Sequence, residues 1–124
     1  MAKQSPTSRS LKVLREEGWL VQVVERFCHW SKRRIDLFSI GDILGIHPDV
    51  SGTLIIQCTS QSNKSSRWQK LIAAPESRII LQAGNKLELW TWAKRGKKGV
   101  RKLWELQRTP VTPEDLPMPS NGEE

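Results

Sequence analysis

The sequence predicts a single small domain of the α/β or α+β class, in which helices cover the faces of a mixed central sheet. Three observations support this prediction. The elements follow the order helix, three strands, helix and further strands. Residues 53–59 (TLIIQCT) are almost continuously apolar, which is typical of a strand covered on both faces. The 124 residues, 37% of them hydrophobic, suffice for one core without disulfide bonds.

One helix is predicted near the N-terminus. Residues 1–7 are polar and contain proline, so we expect a flexible start to the chain. The helix then runs to Gly18, with Ser8 or Ser10 as its N-cap. Glycine readily adopts the left-handed conformation that ends many helices, so Gly18 marks the stop.

Three strands are predicted to follow this helix. Residues 19–27 (WLVQVVERF) are rich in β-branched and aromatic residues and predict the first strand. Residues 35–47 begin as a turn and continue as the second strand, and residues 53–59 form the third. The intervening HPDVSG, at residues 47–52, has the composition of a turn and favours a hairpin.

The second half of the chain is predicted to hold one helix and three strands. The helix begins near residues 62–65 and ends before Pro75. RIILQ, at residues 78–82, predicts a strand. Residues 86–94 and 100–108 alternate with period two and predict an edge hairpin joined by a basic turn. Alternation in the first of these two strands assigns Leu87, Leu89 and Thr91 to one face and Glu88, Trp90 and Trp92 to the other.

The domain is predicted to span residues 8–108. Residues 109–124 are rich in proline and carboxylates and have few apolar anchors, so we expect a disordered acidic tail. No segment approaches the roughly 18 consecutive apolar residues of a membrane-spanning helix, and no signal peptide is evident. We therefore expect a cytoplasmic protein with no membrane partner, in which Cys28 and Cys58 are buried thiols.

The charge favours a polyanionic partner. Twenty Lys and Arg against thirteen Asp and Glu give a formal net charge of +7, so nucleic acid is the first expectation and mere solubility the alternative. The residues predicted to contact nucleic acid are Lys32, Arg33, Arg34, Arg67, Lys94, Arg95, Lys97, Lys98, Arg101 and Lys102. Trp30, Trp90 and Trp92 lie near these basic segments and are candidates to stack on unpaired bases. Burial in the sheet or in a dimer contact is the alternative for Trp90 and Trp92.

Two polar side chains interrupt the apolar strands. Asp42 precedes ILGI in the second strand, and Gln57 follows LII in the third. If these strands form a hairpin, both residues lie equally far from the turn and face each other. An unpartnered buried polar group costs on the order of 1–3 kcal/mol, so a shared ligand would explain both residues. Glu25, on the first strand, is a third oxygen donor, and such ligands suit Mg²⁺.

Simpler roles stay open for these residues. Asp42 could cap a turn, Gln57 could bond to the backbone, and Glu25 could form a surface ion pair. Asp36, in RIDLF, could also ligate the metal, but we expect it to cap a turn or to pair with Arg33 or Arg34. The two histidines have no partner at metal-ligand spacing and are expected to be structural or exposed.

Residues 8–82 resemble the PD-(D/E)xK nuclease superfamily, including archaeal-type Holliday-junction resolvases and small phage and bacterial relatives. These nucleases have a restriction-endonuclease-like core of helix, three-strand meander, helix and strand. An aspartate opens their second strand and a (D/E)xK tripeptide ends the third. Asp42 in RRIDLFSIGDILGI resembles that aspartate, whereas in TLIIQCT Gln57 replaces the acid and Thr59 replaces the lysine.

The resemblance implies a Mg²⁺- or Mn²⁺-dependent endonuclease that acts on DNA, and it leaves structure-selective or Holliday-junction-resolving cleavage open. It also implies a homodimer. Asp42, Gln57 and Lys70 would be catalytic, and Asp42, Gln57 and Glu25 would hold the metal. Lys70 is included among the catalytic residues because some members of the superfamily carry the lysine on the helix that follows the third strand. Lys64 is the alternative. Glu25 would compensate for the acid that the family has early in its first helix.

Two other functions remain open. The chain could be a catalytically inactive DNA-binding module on the same fold, which the QCT tripeptide favours. It could also be a protein-interaction module that uses its Trp-rich hairpin as the contact surface.

Overall fold

The computed structural model describes residues 5–38, 40–96, 99 and 103–117, which form a five-stranded mixed sheet with three helices in an α/β arrangement. The helices are α1 (Pro6–Glu16), α2 (Lys64–Ala73) and α3 (Pro75–Gln82). The strands are β1 (Leu20–Val23), β2 (Arg26–Cys28), β3 (Arg33–Ile35), β4 (Ile43–Ile46), β5 (Leu54–Ser60), β6 (Lys86–Arg95) and β7 (Leu103–Pro110). Short 3₁₀ turns lie at Gln61–Asn63 and Pro113–Asp115.

The main sheet has the strand order β1-β4-β5-β6-β7, and β2 and β3 form a separate two-stranded hairpin. β1, β4 and β5 make an antiparallel meander, and the hairpin is inserted between β1 and β4. β5 and β6 are parallel, and α2 and α3 form the crossover that a parallel pair requires. β7 closes the sheet as the antiparallel neighbour of β6, so β7 is an edge strand but β6 is internal.

Hydrophobic clusters cover both faces of the sheet. On the face of α1 the buried residues are Leu14, Ile43, Leu54, Ile56 and Trp90. On the face of α2 and α3 they include Ile55, Leu71, Ile80, Leu87 and Leu89. Alternate residues of β5 and β6 thus enter opposite clusters, as the period-two pattern of residues 86–94 predicts. The prediction of a central sheet flanked by helices is confirmed.

The first helix begins earlier than predicted. Ser5, rather than Ser8 or Ser10, is the N-cap, and its Oγ accepts a hydrogen bond from the Ser8 backbone N–H at 3.1 Å. Pro6 occupies the first helical position, where its missing N–H costs nothing. The expectation of a flexible segment at residues 1–7 is therefore wrong for residues 5–7, and residues 1–4 lie outside the described residues. Gly18 has a φ of +93° and ends the helix as predicted.

The first predicted strand is divided in two. β1 ends at Val23, Val24 N–H donates to Asp42 O at 2.9 Å, and the chain then leaves the main sheet. β2 starts at Arg26 and pairs with β3, which lies in the segment predicted to be a loop and turn. Three-residue strands are too short for hydrophobic periodicity to detect them.

The prediction of a strand at residues 78–82 is wrong, because this segment lies in α3. Pro75 starts the helix at its first position, and Ser77 Oγ donates to Leu71 O at 2.6 Å, which joins α3 to α2. Ser77 and Ile80 are buried three residues apart, so the apolar run forms one face of a helix.

The prediction of a disordered tail at residues 109–124 is wrong for residues 109–117. β7 extends to Pro110, and Val111 and Leu116 are buried in the cluster beneath α2 and α3. Between them, Asp115 Oδ2 accepts hydrogen bonds from the N–H and the hydroxyl of Thr112. The domain therefore extends past residue 108, and residues 118–124 lie outside the described residues.

Two further predictions concern thiols and membranes. Cys28 and Cys58 are free and partly buried rather than fully buried. Burial raises the pKa of the Cys58 thiol to about 12. Within the described ranges, none of the helices is long and apolar enough to cross a membrane.

Candidate metal centre

The β4–β5 pairing brings the two polar strand residues together. Ile43 is paired with Ile56, and Asp42 N–H donates to Ile56 O at 2.8 Å. Extending this register by one residue places Asp42 opposite Gln57, and residues directly opposite each other in an antiparallel pair share a face. Both side chains line the same cavity.

This acidic cavity has a volume of about 470 Å³ and lies where the start of α1, the base of the β2–β3 hairpin, β5 and α2 meet. It contains four residues that sequence reasoning proposed for the site: Glu25, Asp42, Gln57 and Lys70. Its full lining is Ser5, Pro6, Thr7, Glu25, Asp36, Asp42, Gln57, Cys58, Arg67 and Lys70.

Three carboxylates converge in the acidic cavity. Glu25, Asp36 and Asp42 each present an oxygen, and these oxygens all lie within 4.8 Å of one another. Glu25 immediately precedes β2 and Asp36 immediately follows β3, and the register Arg26↔Ile35 places them opposite each other at the base of the hairpin. Asp36 therefore lies where it could ligate a cation together with Glu25 and Asp42, the alternative that the sequence leaves open for it. Its role depends on the hairpin, which the sequence pattern does not reveal.

Asp42 is held in an environment that resists ionisation. It is 5% exposed, and burial, with Asp36 and Glu25 nearby, raises its pKa from 3.8 to about 7. A hydrogen bond with Asp36 adds to this rise, whereas the Cys58 backbone N–H, 2.8 Å from Asp42 Oδ2, opposes it. A cation bound among the three carboxylates would relieve their repulsion and favour the ionised form.

Gln57 supplies a second, independent sign of a ligand. The residue is 2% exposed, and among the described residues no hydrogen-bond donor reaches its Oε1. Leaving a buried amide oxygen unsatisfied costs about 1–3 kcal/mol, so native proteins rarely do so without a reason. A divalent cation coordinated by this oxygen would supply the missing partner, which means that the donor set fits Mg²⁺ or Mn²⁺.

The cationic side of the acidic cavity comes from α2. Arg67 and Lys70 are three residues apart, so they share a helical face, and both line the cavity. Lys64, the alternative to Lys70, instead donates to Gln107 Oε1 at 2.9 Å. Thr59, at the position that resembles the family's lysine, is buried and does not line the cavity.

The other residues predicted to contact phosphates differ in whether their side chains are exposed, paired or described by the structure. Lys32 and Arg33 are exposed on the hairpin, and Lys94 and Arg95 are exposed at the end of β6. Arg95 Nε lies 3.4 Å from a carboxylate oxygen of Glu105, so this guanidinium has a partner. The structure does not describe the side chain of Arg34, and Lys97, Lys98, Arg101 and Lys102 lie outside the described residues.

The tryptophans divide into buried and exposed groups. Trp90 is 1% exposed and donates to Glu88 Oε1 at 2.7 Å. Trp92 is 7% exposed and donates to Ser10 Oγ at 2.9 Å. Of the two alternatives for these rings, burial in the sheet is confirmed and stacking on bases is excluded, because they fill the sheet face beneath α1. Trp30, in contrast, is 97% exposed.

The acidic cavity thus combines hard oxygen ligands with a cationic wall. Carboxylate and amide oxygens suit a hard divalent cation, and the side chains of Arg67 and Lys70 suit a phosphate. Comparison of the chain with protein-family models, curated proteins and solved structures found no match.

Proposed function

We propose that this protein is a Mg²⁺- or Mn²⁺-dependent endonuclease that hydrolyses phosphodiester bonds in DNA. One juxtaposition carries the proposal: three clustered carboxylates and an unpartnered buried amide oxygen share a cavity with two cationic side chains. The first group suits a divalent cation, and the second suits an anionic substrate. The net charge of +7 favours a polyanion as that substrate.

The architecture supports membership of the PD-(D/E)xK superfamily. α1, the meander β1-β4-β5, α2 and β6 follow the order helix, three-strand meander, helix and strand that the resemblance implies. Asp42 immediately precedes β4, and Gln57 lies within β5, as the family's aspartate and acid would. α3 and β7 are additions to that order.

The donor set explains how the site can tolerate a glutamine in the place of an acid. Asp42, Glu25, Asp36 and Gln57 would hold the metal, and Asp36 supplies the negative charge that Gln57 does not. When bound there, Mg²⁺ would polarise the scissile phosphate and lower the pKa of a water molecule. Asp42 anchors this site to the main sheet, because it immediately precedes β4 and its N–H donates to Ile56 O.

The remaining residues of the acidic cavity would act on the phosphate. Arg67 offers a planar guanidinium that can donate two parallel hydrogen bonds to phosphate oxygens. Lys70 offers a point charge that would orient the attacking water or balance the phosphate, in place of the lysine that is absent at Thr59. The N-terminus of α1, at Pro6 and Thr7, adds the positive end of a helix dipole.

A cleavage assay tests the proposal. Branched and linear DNA would be incubated with Mg²⁺, Mn²⁺ or a chelator, using the wild type, Asp42→Asn and Asp49→Asn. Asp49 is an exposed aspartate outside the acidic cavity and serves as the matched control. We expect metal-dependent cleavage by the wild type and by Asp49→Asn and none by Asp42→Asn.

Other outcomes point to the alternatives. Activity that is equal in Asp42→Asn, or indifferent to metal, contradicts the mechanism. Salt-sensitive DNA binding without hydrolysis identifies the catalytically inactive DNA-binding module. Failure to bind any nucleic acid at low salt favours the protein-interaction module instead.

A further inference from the structure

The β2–β3 hairpin begins and ends at the acidic cavity, and we call it the hairpin arm. This hairpin arm, residues 26–35, is inserted between β1 and β4, and among the strands that the structure describes β2 and β3 pair only with each other. Two of the three clustered carboxylates, Glu25 and Asp36, stand at its base. Whatever the arm binds is therefore held close to the acidic cavity.

The tip of the hairpin arm presents an aromatic ring to solvent. Trp30 is 97% exposed, whereas Trp90 and Trp92 are buried in the core. The turn around it is closed by a hydrogen bond from Lys32 N–H to Cys28 O at 2.8 Å, with Lys32 in the left-handed conformation at φ +59°. Such an exposed ring buries little apolar area within this chain, so its contribution to folding is small. Tryptophan is enriched at interfaces, where one end of the ring system is apolar and the other is polar, so an exposed indole on a structured turn is suited to contact with a partner.

The arm is also uniformly cationic. Residues 26–35 contain four Lys or Arg and no Asp or Glu, and Arg26, Lys32 and Arg33 are exposed. The acidic residues begin only at the base, at Glu25 and Asp36. Cationic side chains beside an exposed aromatic ring are the features that bind single-stranded nucleic acid, since the cations contact phosphates and the ring stacks on a base.

We propose that the hairpin arm binds unpaired nucleobases close to the phosphodiester bond that the acidic cavity cleaves. Trp30 stacks on an unpaired base, and Lys32 and Arg33 contact the flanking phosphates. The substrate class is therefore DNA with loops, flaps or branch points rather than perfect duplex, in which each base is already stacked on its neighbours. This inference rests on the proposed nuclease function and specifies its substrate.

The length of the arm sets an expected cutting position. Trp30 follows Glu25 by five residues, and because residues 29 and 30 lie in the turn, the separation is at most about 16 Å at roughly 3.3 Å per residue. At about 3.4 Å per nucleotide, this length corresponds to roughly five nucleotides. The cut is therefore expected within about five nucleotides of the unpaired bases.

The first test measures binding alone, in the Asp42→Asn background and without divalent metal. Two labelled DNA duplexes of equal length, one fully paired and one with a short unpaired stretch, are titrated with protein while fluorescence anisotropy is recorded. Adding Trp30→Ala should weaken binding to the partly unpaired DNA by about 5- to 100-fold, the range for loss of one stacked base. Binding to the paired duplex should change by less than about twofold, and Trp30→Phe, which keeps an aromatic ring, should restore most of the affinity.

The binding result separates the two proposals. If the wild type cleaves no DNA but the Trp30-dependent preference appears, the nuclease function fails and the role of the arm stands. Equal affinities of the Trp30→Ala protein and its parent for both DNAs overturn the inference, even if cleavage is intact. Loss of binding to phosphatidylserine vesicles in Trp30→Ala, with DNA binding unchanged, also overturns it and assigns the arm to a lipid surface.

A second test uses the active protein and maps the cut. We expect the wild type to cut partly unpaired DNA at one position within about five nucleotides of the unpaired stretch, and Trp30→Ala to cut at scattered positions. Cutting that keeps the same fixed position in Trp30→Ala contradicts the inference, because the ring would then have no part in placing the substrate.

Discussion

Replacing Asp42 by asparagine is expected to stabilise the metal-free protein while it removes metal binding. Burial, together with Asp36 and Glu25, raises the pKa of Asp42 from 3.8 to about 7. Between these two pH values the folded state holds a proton that the unfolded state has lost, so stability falls as the pH rises from about 4 to about 7. Below this range both states are protonated and the penalty is absent. Above it the penalty is complete.

The size of the penalty follows from the same pKa. The rise from 3.8 to about 7, at about 1.4 kcal/mol per pKa unit, corresponds to roughly 4 kcal/mol. This value is an upper bound, because the carboxylates can move apart once they are ionised. Asparagine has nearly the same shape, keeps an oxygen to accept the hydrogen bond from Cys58 N–H and carries no charge. We therefore expect Asp42→Asn to be about 2–4 kcal/mol more stable than the wild type near pH 8 and equally stable near pH 4.

Urea unfolding with a chelator, at several pH values, measures both proteins. The difference between their free energies of unfolding at each pH reports the contribution of Asp42, because the other titrating groups are common to both proteins. Added Mg²⁺ should then stabilise the wild type near pH 8 and leave Asp42→Asn unchanged, because only a folded state that binds the ion gains from it. Asp49→Asn, at an exposed position, should follow the wild type throughout. The reasoning is refuted if Asp42→Asn is no more stable near pH 8 than near pH 4, relative to the wild type.

Three further predictions concern the acidic cavity and the hairpin arm. Gln57→Glu adds a fourth carboxylate, so it should raise the Mg²⁺ affinity measured by calorimetry at least about tenfold and destabilise the metal-free protein. An unchanged affinity would place Gln57 outside the metal centre. Lys70→Ala should lower kcat in cleavage assays by about 10²-fold or more and leave the metal affinity unchanged. Lys64→Ala, outside the acidic cavity, should retain activity, and an equal loss of activity in both variants would contradict the role of Lys70. Replacing Lys32 and Arg33 by alanine should lower the slope of log DNA affinity against log salt by about 2, and an unchanged slope would mean that neither side chain contacts a phosphate.

The meeting of Asp42 and Gln57 could be predicted because it depends on local rules. Each residue interrupts a short apolar strand, and the two strands flank a recognisable turn. Period-two geometry then places both residues on one face at one end of the sheet. Lys70 could be proposed by its distance along the following helix, although only the structure brings Arg67 beside it in the cavity.

Other features depend on contacts that no local pattern encodes. Asp36 enters the carboxylate cluster only because the hairpin arm brings it opposite Glu25, and strands of three residues are too short to read from sequence. The run at residues 78–82 is equally compatible with a strand and with a buried helical face, and packing against α2 decides for the helix. Val111 and Leu116 are separate apolar residues in a polar segment, and they become core residues only through the sheet and helices above them.

The placement of ligands at the foot of the hairpin arm has a mechanical consequence. A two-stranded hairpin with three residues in each strand is marginal by itself. An ion shared by Glu25, Asp36 and Asp42 would cross-link the base of the arm to the main sheet. Chelation would then loosen residues 26–35 selectively, and amide hydrogen exchange would quicken there while β4, β5 and β6 stay protected. A bound metal ion would thus fix the position of the hairpin arm relative to the main sheet, in addition to its role at the phosphate.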